Sequence, residues 1–312
     1  MNNRPVVIVT RGSKLALYQS NKVKEELEKH FPDKVFKVQI IKTKGDKILD
    51  VALSRIGDKG LFTRELENSL LTGEADIAVH SLKDLPTDLP DGLIIGGVLE
   101  RGEVRDALVS INGKKLTELD ESDIVATSSL RRKAQLLFFN SQLRIIDIRG
   151  NVDTRLEKMA GGYCTAMIMA AAGLQRLGYH DKITEILDFA IMAPAVSQGA
   201  IALEIRDNDP DTESIVQEIN HAPSFAAVKA ERIFLRTLEG GCQVPIGCFS
   251  ASDGKKFRIS GVVSNIDGSK MIKDSVEGEI NNAEKAAEML AKRFLEMGAR
   301  EMIRNIRTLN KT

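Results

Sequence analysis

The sequence contains no tryptophan and its aromatic share is only 4%. The cores are therefore expected to rest on aliphatic side chains. Three cysteines, Cys164, Cys242 and Cys248, form neither a disulfide framework nor a CxxC pair. That sparsity fits a reducing, cytoplasmic setting. Neither charge is in excess, because 44 Lys and Arg balance 44 Asp and Glu. A broad basic face for duplex nucleic acid is thereby disfavoured, leaving only local clusters. No apolar run approaches the roughly 18 residues of a membrane span. Near the N-terminus the apolar run Val6 to Val9 is far shorter than a signal-peptide core, and no A-x-A-like site follows it. HExxH, GxSxG, P-loop spacing and paired metal-ligand spacing are all missing, so no metal centre is expected. There is no repeat of solenoid period and no low-complexity tract.

What is present is an ordinary globular composition, 43% hydrophobic and 28% charged, over 312 residues. That length predicts two or three domains. Strand and helix signals alternate. Pro5 to Thr10 reads as a strand, Ser13 as a helix N-cap, and Ala16, Ser20, Val23 and Leu27 as one helical face. Phe36, Val38 and Ile40 alternate as in a strand, Glu65 to Leu71 reads as a helix stopped at Gly73, and Ala75 to His80 as a short strand. The rhythm restarts after Glu103, with strands at Asp106–Ser110, Ile124–Thr127, Leu143–Ile148 and Ala166–Met169. Helices are predicted at Ser129–Phe138, Asn151–Met159 and Ala170–Leu177. Two α/β units of similar size predict two lobes with mostly parallel sheets and a cleft between them. From about Asn220 the pattern changes. Ser224 reads as an N-cap, Phe257, Ile259, Gly261 and Val263 alternate, and Ala286, Leu290, Phe294 and Met297 form a helical stripe. This predicts a small α+β domain.

Five arginines fall where strands should feed loops or helix starts: Arg11, Arg131 and Arg132 in TSSLRR, Arg149 in DIRGN, and Arg155 one turn further on. A cation at a helix N-terminus opposes the helix dipole, and an anion held between them relieves the conflict. Thr127, Ser128 and Ser129 add hydroxyl donors, and guanidinium groups suit carboxylates. Singly, each arginine reads as solvated or salt-bridged; as a group they read as an anion cleft. Asp84, in HSLKDLP beside Lys83, reads either as a turn former or as a lone carboxylate at a strand's carboxyl end, able to steady a cation and exchange protons. His80 reads as structural. Lys44 to Gly60 is a glycine-bounded, charged segment that fits a lid or a polar loop. Cys242, after two glycines and before Pro245, sits on an exposed turn, which leaves open a nucleophilic or an ordinary thiol. Cys164 and Cys248 have apolar neighbours and read as inert.

Eight stretches follow one another from residue 10 to residue 247: TRGSKLAL, KGLFTRELE, ADIAVHSLKDLP, TSSLRRKAQL, IRGNVDTRL, AAGLQRLG, AVSQGAIALE and LEGGCQVPIG. In order and spacing this series resembles the successive signatures of the porphobilinogen deaminase (hydroxymethylbilane synthase) family. After residue 250 the likeness lies in helix and strand pattern. The resemblance implies an α/β fold of two periplasmic-binding-protein-like lobes plus a small C-terminal α+β domain. Lobe one takes residues 1–99 with 200–219 and carries the catalytic aspartate. Lobe two takes 100–199 and the anion-binding arginines, and residues 220–312 carry the cofactor cysteine. The implied activity is that of a deaminating transferase. It polymerises four porphobilinogen molecules head to tail into hydroxymethylbilane, on a dipyrromethane primer bound by a thioether to Cys242.

Carried onto this chain, the catalytic position falls on Asp84, and the cofactor-binding positions on Cys242, Lys83, Asp84, Ser129, Arg131 and Arg132. The substrate-binding positions fall on Arg11, Ser13, Lys59 (the lid lysine), Arg149, Arg155, Arg176 and Gln198. The implied partners are porphobilinogen and the growing linear polypyrrole, without nucleic acid or membrane, in a cytoplasmic monomer. Each added ring brings an acetate and a propionate, which accounts for the arginines. Two positions depart from the family pattern: Ser197 stands where PAVGQGA has glycine, and Thr165 where aspartate is usual. A two-lobed solute-binding or ligand-sensing protein for a small polycarboxylate is the rival reading. It has no use for Cys242, and no N-terminal segment reads as a helix-turn-helix.

Overall fold

Alternation of apolar residues along short strands, several followed by an amphipathic helix, builds two sheets of five strands. The computed structural model describes residues 4–47, 60–239, 244–252 and 255–309. These fall into two compact units, one of residues 4–47, 60–102 and 200–225, the other of residues 103–199 and 226–309.

The first unit contains β1 (Val6–Thr10), α1 (Lys14–His30), β2 (Phe36–Ile40), a helical turn at Lys44–Lys47, α2 (Arg64–Leu71), β3 (Ile77–Ser81) and β4 (Leu93–Val98). The second contains β5 (Asp106–Ser110), β6 (Ile124–Ala126), α3 (Leu130–Phe139), β7 (Arg144–Ile146), α4 (Val152–Ala160), β8 (Ala166–Ala170), α5 (Ala171–Arg176) and β9 (Glu185–Ile186). The chain then supplies β10 (Ile201–Arg206) and α6 (Pro210–Gln217) to the first unit. The sheet orders are β2-β1-β3-β10-β4 and β7-β6-β8-β5-β9. In each, one strand runs antiparallel to its neighbours: β10 in the first, β5 in the second. These are the strands that open each segment after the chain changes unit. The expectation of mostly parallel sheets therefore needs this one correction in each. A strand arriving without a crossover helix has no parallel direction imposed on it.

Period-2 alternation puts Ile8, Ile77 and Val79 under Val23 and Leu27 of α1, while Val9 and Ala78 face Leu66 and Leu70 of α2. Both faces of the first sheet are thus covered, as buried parallel strands require. Ser13 caps α1, its Oγ accepting the Ala16 N–H at 3.2 Å.

The C-terminal part has an antiparallel sheet β11-β12-β13 (Ile246–Ser252, Lys256–Ser264, Met271–Glu279) packed with α7 (Ala222–Thr237), α8 (Ala283–Glu296) and α9 (Ala299–Leu309). Its core departs from the aliphatic expectation. Phe234, Phe257 and Phe294 are fully buried there, with Phe234 and Phe294 edge to face at 5.2 Å. Gly261 faces this cluster: a Cβ there would lie 2.5 Å from Phe234 Cζ. Two local expectations fail. Ser224 does not cap α7, which starts two residues earlier. His221 does the capping instead, its carbonyl accepting the Phe225 N–H and its Nδ1 the Ser224 N–H. Ser224 Oγ accepts from the Arg101 N–H. Met297 lies beyond the end of α8, before Gly298 at φ 91°, and is exposed. Among the described residues no helix is long and apolar enough to cross a membrane.

Candidate active site

In the first unit, β1 and β3 are parallel neighbours whose carboxyl ends open onto loops. After β1 come Arg11, Gly12 and the capping Ser13; after β3 a 3-10 turn, Leu82–Asp84, delivers Lys83 and Asp84. A small open cleft of about 80 Å³ lies here, lined among others by Arg11, Ser13, Gln19, Phe62, His80 and Asp84. The Arg11 guanidinium stacks 4.2 Å from the Phe62 ring centroid, which fixes its plane. Asp84 is exposed and makes no hydrogen bond or ion pair among the described residues. His80, read as structural, is buried and bonds through Nε2 to Glu204 Oε2 at 2.9 Å.

In the second unit, β6 ends at Ala126 and α3 begins after Ser129, whose Oγ accepts the Arg132 N–H at 3.5 Å. Arg131 and Arg132 are only 5% and 6% exposed. Both converge on Asp106 at the start of β5, Arg131 Nη1 at 2.8 Å and Arg132 Nη2 at 2.7 Å. Gln198, fully buried, donates from Nε2 to the same carboxylate and to the Val104 carbonyl, each at 2.9 Å. Burial alone pushes the Asp106 carboxyl up, but Arg131 and Arg132 outweigh it and hold it well below the usual carboxylate range. Two guanidinium charges against one carboxylate leave the group net positive.

The next strand-to-helix turn carries Arg149 and Arg155. Gly150 makes that turn possible: it sits at φ 116°, and a Cβ there would lie 2.7 Å from Thr154 Cγ2. Asn151 caps α4, its Oδ1 accepting the Thr154 N–H at 2.9 Å. Arg155 Nε donates to the Gly150 carbonyl at 2.8 Å. Arg149 Nη1 is a buried N–H group with no hydrogen-bond partner among the described residues, a donor that a carboxylate oxygen would satisfy. Arg176, at the end of α5, donates to the Gly199 carbonyl.

The structure thus brings Arg11, Ser13, Lys83 and Asp84 together in one unit. It brings Ser129, Arg131, Arg132 and Gln198 together in the other, with Arg149 and Arg155 on the adjoining turn of that unit's sheet. Cys242 and Lys59 lie outside the described residues, as does most of the 44–60 segment. Cys164 and Cys248 are buried, and burial pushes the Cys164 thiol up to about 11. Asp106 and Glu204 escaped the sequence reading. The available signal was a carboxylate opening or interrupting an apolar strand, a position where an acid needs a cation.

A two-lobed α/β fold with a lone carboxylate at one strand end and clustered guanidinium groups at others has donors suited to carboxylate-bearing ligands. The comparisons make that class specific. Residues 6–214 match the family model described as porphobilinogen deaminase, dipyrromethane cofactor binding domain, and residues 225–296 match the porphobilinogen deaminase C-terminal domain. The porphobilinogen deaminase of Pelotomaculum thermopropionicum is 47% identical over 97% of each chain. That of Carboxydothermus hydrogenoformans is 48% identical over 97% of this chain and 98% of its own. This chain belongs to the porphobilinogen deaminase family. It is a transferase of tetrapyrrole biosynthesis with a dipyrromethane cofactor domain, and the solute-binding alternative is not favoured. Among solved structures, a TRAP periplasmic solute binding protein from Desulfovibrio salexigens matches with TM-score 0.43 and 12% identity, over 70% of this chain and 72% of that one.

Proposed function

We propose that this chain joins four porphobilinogen units head to tail on a dipyrromethane primer held by Cys242, with Asp84 as the catalytic group. The observation that carries the reading is the Asp84 carboxylate, exposed and unpartnered among the described residues, in a cleft with Arg11 at the carboxyl ends of two parallel strands.

The donor set suits a ligand rich in carboxylates. The Asp106 group is net positive beside the N-terminus of α3, and Arg149 keeps a buried donor without a partner. When bound, dipyrromethane supplies a pyrrole ring with a free α-carbon as acceptor for the first unit. Lys83, Ser129, Arg131 and Arg132 would hold the carboxylates of that primer. Arg11, Ser13, Arg149, Arg155 and Arg176 take the acetate and propionate of incoming substrate, and by the resemblance Lys59 joins them. Gln198 enters through Asp106, whose position it fixes. Asp84 accepts hydrogen bonds from pyrrole N–H groups. It also steadies the positive charge that develops as the aminomethyl C–N bond breaks, and takes the proton that the attacked ring gives up. In this reading residues 1–99 with 200–219, 100–199 and 220–312 act as catalytic lobe, anion lobe and cofactor-bearing domain. The protein works as a cytoplasmic monomer without nucleic-acid or membrane partners.

Asp84→Asn tests the assignment. An exposed turn residue adds little stability, so the variant folds and keeps its covalent primer, while kcat falls about 10²–10³-fold, the usual loss for one electrostatic group at a reacting centre. Near-normal turnover in a folded, primer-loaded Asp84→Asn protein would contradict it.

A further inference from the structure

Of the side chains lining the Asp84 cleft, the Asp84 carboxylate and the His80 imidazole are the two general acid–base groups. His80 stands on β3 and Glu204 on β10. In the register His80 opposes Ala202 and Glu204 opposes Ala78, so the two are diagonal neighbours on one face of the sheet. Glu204 is completely buried, and its Oε1 has no partner among the described residues. Its hydrogen bond from His80 Nε2 is therefore the one that fixes the imidazole plane. With Nε2 so engaged, Nδ1 is the ring nitrogen left for the cleft, and it has no protein partner among the described residues. A buried carboxylate behind an imidazole orients it and stabilises the imidazolium formed when the other nitrogen takes a proton. The charged and titratable groups around His80 are Glu204 on β10, Glu67 with Arg64 on α2, Arg11 after β1 and Asp84 after β3. Burial first, and then the Glu204 charge, push Glu67 up.

The reaction needs a second station. In each elongation the C–N bond of the protonated aminomethyl group breaks and its electron pair leaves with nitrogen as ammonia. A C–C bond forms from the α-carbon of the accepting ring, and that carbon then loses a proton. Asp84, once protonated, has to be cleared before the next unit arrives. We infer that His80, oriented by Glu204, is a proton relay for this cleft: Nδ1 takes from Asp84 the proton lost by the accepting ring and passes it to the ammonia already released in the cleft, which leaves as ammonium. This inference rests on the Asp84 assignment.

His80→Gln and Glu204→Gln test it in the primer-loaded enzyme. A glutamine at 80 can still donate to Glu204 but carries no proton onward. His80→Gln should therefore fold, keep KM, lose about 10²-fold in kcat, and lose one limb of the kcat–pH curve. Glu204→Gln keeps a hydrogen bond to the ring without the charge and should show a smaller loss with a displaced limb. A readout independent of activity is the His80 ring-proton NMR signal, assigned by its absence in His80→Gln. Its titration midpoint should move in Asp84→Asn, because the two groups share a proton path. If Asp84→Asn abolishes turnover while His80→Gln and Glu204→Gln keep the wild-type kcat and pH curve, or if the His80 midpoint ignores Asp84, the relay is overturned and the Asp84 assignment stands. If Asp84→Asn itself turns over normally, both fall.

Discussion

Ser197 holds φ at 61° with its hydroxyl buried and unpartnered among the described residues, while its N–H donates to Glu231 Oε2 at 2.7 Å. A left-handed conformation costs a non-glycine residue about 1–2 kcal/mol, and an unsatisfied buried hydroxyl about 1–3 kcal/mol. Glycine would add back about 0.4–1 kcal/mol through the unfolded chain. Ser197→Gly is therefore expected to gain about 1–4 kcal/mol in a urea titration; a loss would mean that the hydroxyl has a role. Asp106 sets the opposite case. Asp106→Asn leaves two buried guanidinium groups facing each other and is expected to lose about 3–5 kcal/mol. Because the folded value of Asp106 is depressed, its contribution is complete above the unfolded value of about 3.9 and fades as pH falls toward the folded one. The stability gap between wild type and Asp106→Asn should hold at neutral pH and narrow only in acid. At this scale the placement of Arg11, Ser13 and Asp84 was legible, since each lies where a strand signal gives way to a turn or helix start. Asp106 was not, because its meaning lies in partners 25 and 26 residues away.

The helix starts after β6 and β7 carry the predicted anion chemistry, and at the scale of elements they differ. The α3 start has its guanidinium groups committed to Asp106, whereas the α4 start keeps an unsatisfied Arg149 donor. Arg149→Leu and Arg155→Leu should leave the primer in place and stall elongation at a particular chain length. Native mass spectra under limiting substrate would show that accumulation, and an unchanged ladder of enzyme-bound species in both variants would contradict the assignment. Most element positions could be read because apolar alternation and helical spacing are local properties. The direction of β10 and β5 could not, since it depends on which unit the chain has just left. The α7 start was misread because an imidazole nitrogen serves there in place of a hydroxyl.

For the whole molecule, two sheets with the same strand order carry complementary chemistry, a carboxylate in one unit and guanidinium groups in the other. In the proposed function the C-terminal domain adds a covalent handle. Both described cysteines are buried, and Cys248 lies within the C-terminal core; Cys242, the proposed primer thiol, lies outside the described residues. A thioether survives denaturation, whereas a bound solute does not. The most direct measurement is therefore the intact mass of the denatured protein made in cells that supply porphobilinogen. Wild type, Cys164→Ser and Cys248→Ser should each run heavier than the sequence by two pyrrole units, while Cys242→Ser should run at the sequence mass and be inactive. Wild-type protein at its bare sequence mass would contradict the central claim, and an adduct that followed Cys248 would move the primer to another residue.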